Sequence, residues 1–507
     1  MFIKYFIVGC CFWGIILTAL FCIRSKSRMH IETMETIEKT KKGIILIVMI
    51  TTILICTMPM GLSPDWNEEM QEDKKQYELM AEAILEGHLY IDYQDIDPRL
   101  LEMDNPYAPR AREELNIEFH WDHAFYNGHY YVYFGIVPVI LLFLPYRVIT
   151  GTSLVTFHAT QILVAMFICG VFATFYILSR KFFDRITFIM YLFLSSAFSI
   201  MSIWYSVGSP ALYCTAITSG LCMEIWSMFF FIKAVWIEEN EKTGILYAFL
   251  GSLFGALAFG CRPPIALANL LVIPMLVEYI RKRKFDLRLL KQLAFAATPY
   301  IIIGLLLMLY NYMRFDNPFE FGQSYQLTLA DQSKYGDFAS QFNLVKIING
   351  ILFYYISYQS ISEEFPFVSL SGVFVNFPIL LFSLIGLGQE EIRTELAGKH
   401  LKYYVGGLII LPLFISAVDV LWGPLFPRYR MDIYWLMGIV CFIVIGFYSK
   451  NLTGISQRRF SRSICVWALI TICTCFLLFI VPHDSNYTAI VPGKLEKFER
   501  ALKLGFL

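Results

Sequence analysis

Three groups of residues in this sequence carry chemistry at informative spacings. The pattern predicts a helix over Asn67–Glu86, with Asp65 or Asn67 as N-cap and Gly87 just past its end. Met70, Tyr77, Met80, Ala81 and Ile84 give that helix an apolar stripe, and Asp73 lies on the same stripe. A carboxylate on the buried side of an apolar face is costly unless it is paired or put to use. Arg262, in Gly260-Cys261-Arg262-Pro263-Pro264, and Arg428 and Arg430, in Pro427-Arg428-Tyr429-Arg430, sit in short turns between apolar blocks. A guanidinium there either meets an anion in a bidentate, charge-assisted contact or reaches to lipid headgroups. His120-x-Asp122-His123, with His129 nearby, offers N and O ligands for a divalent ion, but the spacing matches no familiar metal motif. No cofactor and no metal site are therefore expected. Glu224 is the clearest acid deep inside an apolar block, a position that is functional by default in a membrane.

The elements that must position these residues are membrane helices. Of 507 residues, 57% are apolar, 17% aromatic and only 16% charged, with mean hydropathy +0.57. A soluble domain carries about 25% charged residues, so a string of soluble domains is excluded. Apolar blocks of about 20 residues, the length that crosses a ~30 Å hydrocarbon core, fall near 2–23, 43–61, 153–179, 186–204, 210–236, 244–260, 265–280, 292–311, 370–388, 403–421, 431–448 and 463–481. The fold class is an all-α polytopic membrane protein with about 11–12 spanning helices. The twelve cysteines lie in or at the edge of these blocks, without a C-x-x-C pair, and read as small buried apolar residues.

Basic residues set the orientation. Arg24, Lys26, Arg28, Lys39, Lys41 and Lys42, then Arg180, Lys181 and Arg185, then Arg281–Lys284, then Arg393, Lys399 and Lys402, and finally Arg458, Arg459 and Arg462 all belong on the cytoplasmic face. The assignment is consistent only if 131–149, which contains Gly135, Pro138 and Pro145, is re-entrant or surface-lying. Residues 1–42 read as an extra N-terminal helix and a basic linker, with Met29 and Met34 as alternative starts. Residues 43–481 form the transmembrane domain and 482–507 a short external tail. Residues 62–130 and 311–369 are then large external loops. The first carries seventeen acidic residues against five basic ones, in the pattern of a solvated face.

The run Asp73-Lys74-Lys75-Gln76-Tyr77, continuing to Ala81, Ile84, Leu85, Gly87, Tyr90 and Asp92, resembles the first-loop signature of membrane-embedded GT-C glycosyltransferases. The protein mannosyltransferase and aminoarabinose transferase branches are the most similar, together with uncharacterised bacterial members. Those members have blocks similar to Trp121-Asp122-His123-Ala124-Phe125-Tyr126-Asn127-Gly128-His129-Tyr130-Tyr131, with Phe134-Gly135 and Leu144-Pro145-Tyr146, and to Asn311–Pro318. Two features depart from the pattern: Lys74 stands where a companion acid is usual, and Asn105-Pro106-Tyr107 stands nearest to an absent Pro-Pro-Leu element. The resemblance implies a large first loop with short helices, Asp73 as catalytic base, and Tyr77, Asp92, Trp121, Asp122, His123 and Tyr130 in substrate binding.

The implied reaction moves a sugar from a polyprenyl-phosphate donor to a hydroxyl of an extracytoplasmic glycan, lipid or protein, at the cell membrane, with inversion. Such an enzyme needs a base for the acceptor and positive charge for the departing phosphate, roles that fall to Asp73 and to Arg262, Arg428 and Arg430. Trp66, Trp121, Tyr107, Tyr126 and Tyr130 offer aromatic faces to sugars or to the membrane interface. Membrane lipids are expected partners and nucleic acid is not. The rival readings are a transporter or flippase of a lipid-linked glycan, which would show matched broken helices and paired intramembrane charges, and a non-catalytic scaffold, which leaves Asp73 unexplained.

Overall fold

A computed structural model describes residues 2–24, 28–35, 39–57, 74–183, 185–210, 212–283, 285–335, 342–358, 370–422, 426–480, 500 and 503. Asp73, with Asp65, Trp66, Asn67 and Met70, lies outside the described residues, as does nearly all of the 482–507 tail.

Among the described residues, nine helices are long and apolar enough to cross a bilayer: Thr156–Phe182, Phe188–Gly208, Leu212–Ile237, Glu241–Phe259, Pro263–Arg281, Leu287–Phe315, Lys402–Leu421, Pro427–Lys450 and Gly454–Leu478. Two more apolar helices, Phe2–Ile23 and Lys39–Thr57, have 22 and 19 residues, or about 33 and 28 Å. The protein is an all-α polytopic membrane protein. Phe188–Gly208 and Met431–Lys450 are buried almost throughout and form the centre. The first of them carries Ser195, Ser196, Ser199, Ser202 and Ser206, all buried. Small residues let backbones approach, and their hydroxyls bond within or between helices: Ser202 Oγ donates to Phe198 O at 2.7 Å, Thr218 Oγ1 to Ser206 Oγ at 2.6 Å, and Thr52 and Ser196 pair at 3.0 Å.

Two expected segments are built differently. The 370–388 block is broken into Val373–Asn376, a 3-10 turn Pro378–Leu380, and Leu381–Gly388. Pro378 forces Phe377 out of the helical region (φ −128°, ψ 70°), and Gly372 lies so close to Tyr355 and Ile356 that a Cβ would sit 2.5 Å from the Ile356 nitrogen. The 311–369 region is not all loop: Leu287–Phe315 extends into it, and Leu344–Ile356 is an apolar helix that packs Gly350 against Val420 of the Lys402–Trp422 helix.

The basic loops meet at one end of the bundle. Arg180 donates to the carbonyl of Met34 at 2.7 Å, His30 is buried against Ser461 at 2.9 Å, Lys282 donates to Val235 O at 3.1 Å, and His400 faces Glu278 at 3.7 Å. The 74–130 loop covers the other end. Its first helix is Gln76–Glu86, shorter than the expected Asn67–Glu86 because Lys75 is the non-helical residue before its first turn. It buries Tyr77, Met80 and Ala81 and stops at Gly87 (φ 93°), where His88 N–H reaches back to Ala83 O. Glu78 of this helix accepts from the N–H and hydroxyl of Thr156 at 2.8 and 3.1 Å, so the Thr156–Phe182 helix starts at the loop-covered end. Residues 131–150 therefore enter and leave on one face. They hold five residues of π-helix, Val139–Phe143, and the seven-residue helix Leu144–Thr150, with Ile140, Leu141, Val148 and Ile149 exposed.

Candidate functional site

The loop-covered end gathers four chain segments around one polar cluster: the hairpin near Asp122, the first turn of the Leu212–Ile237 helix at Tyr213, and the turns at Arg262 and at Arg428. The hairpin pairs Ala124–Tyr126 with His129–Tyr131 through an Asn127-Gly128 turn in which both residues have positive φ (49° and 81°), the geometry such a pair favours. Gln326 bridges Ala124, and Leu327 donates to His123 O at 2.9 Å, so the second loop runs beside the hairpin.

Asp122 is held from three directions. It is 9% exposed with φ 54°. Its N–H donates to Leu327 O at 3.2 Å, its carbonyl accepts from Gln76 Nε2 at 3.0 Å, and its carboxylate accepts from the Tyr213 hydroxyl. Aspartate is one of the few non-glycine residues that adopt this left-handed conformation readily. Nearby, burial and then the charge of Asp122 hold the Tyr133 phenol well above its ordinary pKa, while Arg428 and Arg262 pull it back. The hairpin and the arginine turns thus share one electrostatic environment.

The three arginines differ in their surroundings. Arg262 Nε and Nη2 donate to both oxygens of the buried Asp432, at 2.9–3.2 Å. Asp419 lies within electrostatic reach of both, and its Oδ2 has no partner among the described residues. Arg430 is buried, donates to Ser371 O at 2.5 Å and faces the rings of Phe353 and Tyr354. Arg428 has no carboxylate partner among the described residues. It spreads instead over Phe426 at 4.2 Å, Tyr213 at 4.3 Å and Tyr429 at 5.4 Å.

The remaining candidates separate into groups. Tyr77 is fully buried and stacks on Phe143 at 5.4 Å, in electrostatic reach of Arg262 and Cys261. His123 is buried, with Nδ1 on Trp121 O at 2.8 Å and Nε2 on the Tyr93 hydroxyl at 3.1 Å. His120 stacks on Tyr93 and faces Asp95 at 3.2 Å, and Tyr130 packs edge-on against Tyr93, His120 and His123. These rings form the base under the Asp122 turn. Among the described residues, His120, Asp122 and His123 do not gather around a common metal position. Asp92 is exposed beside Gln94 and has no described contact with the cluster. The Asn311–Pro318 block is a joint: Arg314 donates to Val132 O at 2.7 Å and Asn311 Oδ1 at 2.8 Å, and Tyr126 donates to Asp316 at 3.2 Å. Glu224 accepts from Asn269 Nδ2 at 2.6 Å inside the bundle. Sequence reasoning missed Tyr213, Asp419 and Asp432. Their only signal was a polar group within a turn or so of a span's end.

Among solved structures, the apo crystal structure of the Archaeoglobus fulgidus oligosaccharyltransferase matches with a TM-score of 0.52 at 13% identity, covering 92% of this chain and 60% of that one. This chain has the GT-C fold. It spans about three-fifths of the neighbour's length. The archaeal oligosaccharyltransferase AglB from Archaeoglobus fulgidus, in complex with an inhibitory peptide and a dolichol-phosphate, gives a TM-score of 0.36 at 14% identity, with the same two coverages. No family model matches the chain, and no curated protein matches it. In this GT-C fold the 74–130 loop and the arginine turns occupy one end of the bundle, opposite the basic loops.

Proposed function

We propose that this protein is a membrane glycosyltransferase that moves a sugar from a polyprenyl-phosphate donor to an acceptor hydroxyl on the extracytoplasmic face of the cell membrane. The observation that carries the reading is Arg428: a cation without a carboxylate partner among the described residues, joined to the buried Asp122 through Tyr213 at the loop-covered end of a GT-C-fold bundle. Arg428 contacts the donor phosphate. Arg262, neutralised by Asp432, holds the wall of the site, and Arg430, engaged by the Ser371 carbonyl, adds positive potential for the leaving group.

Asp73 takes the proton of the acceptor hydroxyl as its oxygen bonds to the sugar's anomeric carbon. The bond from that carbon to the phosphate oxygen breaks, and the electron pair leaves on the lipid phosphate. One in-line displacement inverts the anomeric centre. Asp122 and the aromatic base beneath it bind the acceptor, with Trp121 at its edge. The test is transfer by the purified chain in lipid nanodiscs against a panel of polyprenyl-phosphate sugars, with the product anomer read by NMR. Release of polyprenyl phosphate from one donor with inversion is the expected result. Retention, or no consumption of any donor, contradicts it.

A further inference from the structure

Tyr213 touches both halves of the cluster. Its hydroxyl donates to Asp122 Oδ2, its ring lies 4.3 Å from the Arg428 guanidinium, and its edge meets Phe134 at 5.5 Å and 76°. We infer that Tyr213 is a positioning residue that sets Arg428 against Asp122, an inference that rests on the phosphate role proposed for Arg428.

The ring torsion of a tyrosine is broad when nothing fixes it. Here Phe134 braces the ring itself, while the hydroxyl is tied separately to Asp122, whose backbone is held by Leu327 and Gln76. The ring face is therefore a fixed shelf for the guanidinium. The two contacts have separate roles: the ring supports Arg428 and hence phosphate binding, while the hydroxyl sets where Asp122 and the acceptor lie relative to the phosphate.

Two variants separate these contacts. Y213F keeps the ring and loses the hydrogen bond, and Y213L loses both. With the full chain in nanodiscs, calorimetry measures the binding of geranylgeranyl phosphate, and turnover uses the donor accepted in the panel. Y213L should bind the probe about tenfold more weakly than wild type, a loss in the range of one shielded cation–π contact. Y213F should bind within twofold of wild type and leave the donor KM unchanged, yet lose about tenfold in kcat. Thermal melts identify any unfolded variant, and a folded Y213F alone still tests the split. Probe affinity in Y213L within twofold of wild type, while R428A binds weakly, overturns the role of Tyr213 and spares that of Arg428. Equal loss of affinity in Y213F and Y213L also overturns it. An R428A variant with unchanged affinity removes the phosphate reading and this inference with it.

Discussion

Arg262 and Arg428 are 166 positions apart in sequence and differ in the chemistry around them, so the same substitution should act differently at each. Arg262→Ala leaves Asp432 as an uncompensated buried carboxylate. Breaking such a pair costs about 3–5 kcal/mol, and the variant should melt well below wild type. Arg428→Ala breaks no described ion pair, so its melt should stay close to wild type while turnover falls roughly 30- to 1000-fold, for about 2–4 kcal/mol of lost transition-state stabilisation. Arg→Lys at 428 should restore turnover only in part, because the ammonium lacks the planar fork. Melts and kinetics of the three variants decide this, and a stable Arg262→Ala or a fully active Arg428→Ala would contradict it. The arginines were readable from sequence because guanidinium groups in short turns between apolar blocks stand out. Asp432 was not: its partner lies 170 residues away, and a lone carboxylate near the start of an apolar block gives no spacing to read.

At the level of elements, the site depends on how the 131–150 segment seats against the 260 turn. Val137 N–H donates to Gly260 O at 2.9 Å, and a Cβ on Gly135 would lie 2.2 Å from that oxygen. Gly135→Ala must push the turn that carries Arg262, and overpacking of this kind costs about 1–3 kcal/mol. The variant should lose both stability and turnover, and a wild-type melt and rate would show that the contact is slack. Glu78, which caps the Thr156 helix, supplies a pH test. Burial raises its carboxyl above the ordinary 4.5, with the two Thr156 hydrogen bonds opposing. A raised acid pKa stabilises the fold below 4.5 and loses that contribution as pH rises through the folded value. The Tm of Glu78→Gln relative to wild type should therefore climb as pH rises from 4.5, and a flat difference would contradict the assignment. Gly87 and the Tyr77–Ile84 stripe announced the end of the predicted Asn67–Glu86 helix, because a glycine stop and a 3.6-residue period are local signals, but not its start, which falls at Gln76 after Lys75 rather than after Asp65 or Asn67. The break at 370–388 is just as local, but hydropathy alone averages over Gly372 and Pro378. The Asn127-Gly128 hairpin was not among the expected elements, although Asn-Gly is a local turn signal.

For the whole molecule, the order of membrane helices followed from apolar blocks and basic loops, since both report on the bilayer rather than on distant partners. The assembly of the site did not, because it joins residues from 76, 122, 213, 262 and 428 through contacts that have no sequence period. The topology makes a direct prediction: single cysteines at Asn127 and Thr152, both exposed, should label from outside the cell with an impermeant thiol reagent in a background lacking reactive cysteines. Labelling of Thr152 only after permeabilisation would reverse every later side assignment. Transfer of a glycosyl group with Asp73 as base is the proposed reaction. It is tested most directly by the turnover of purified wild type and Asp73→Asn, side by side in the same nanodiscs, on the polyprenyl-phosphate sugar that wild type accepts. Wild type should transfer the sugar and, at an unchanged melting temperature, the variant should lose at least about a hundredfold, within the range that general base catalysis contributes. Equal turnover of the two proteins would contradict it.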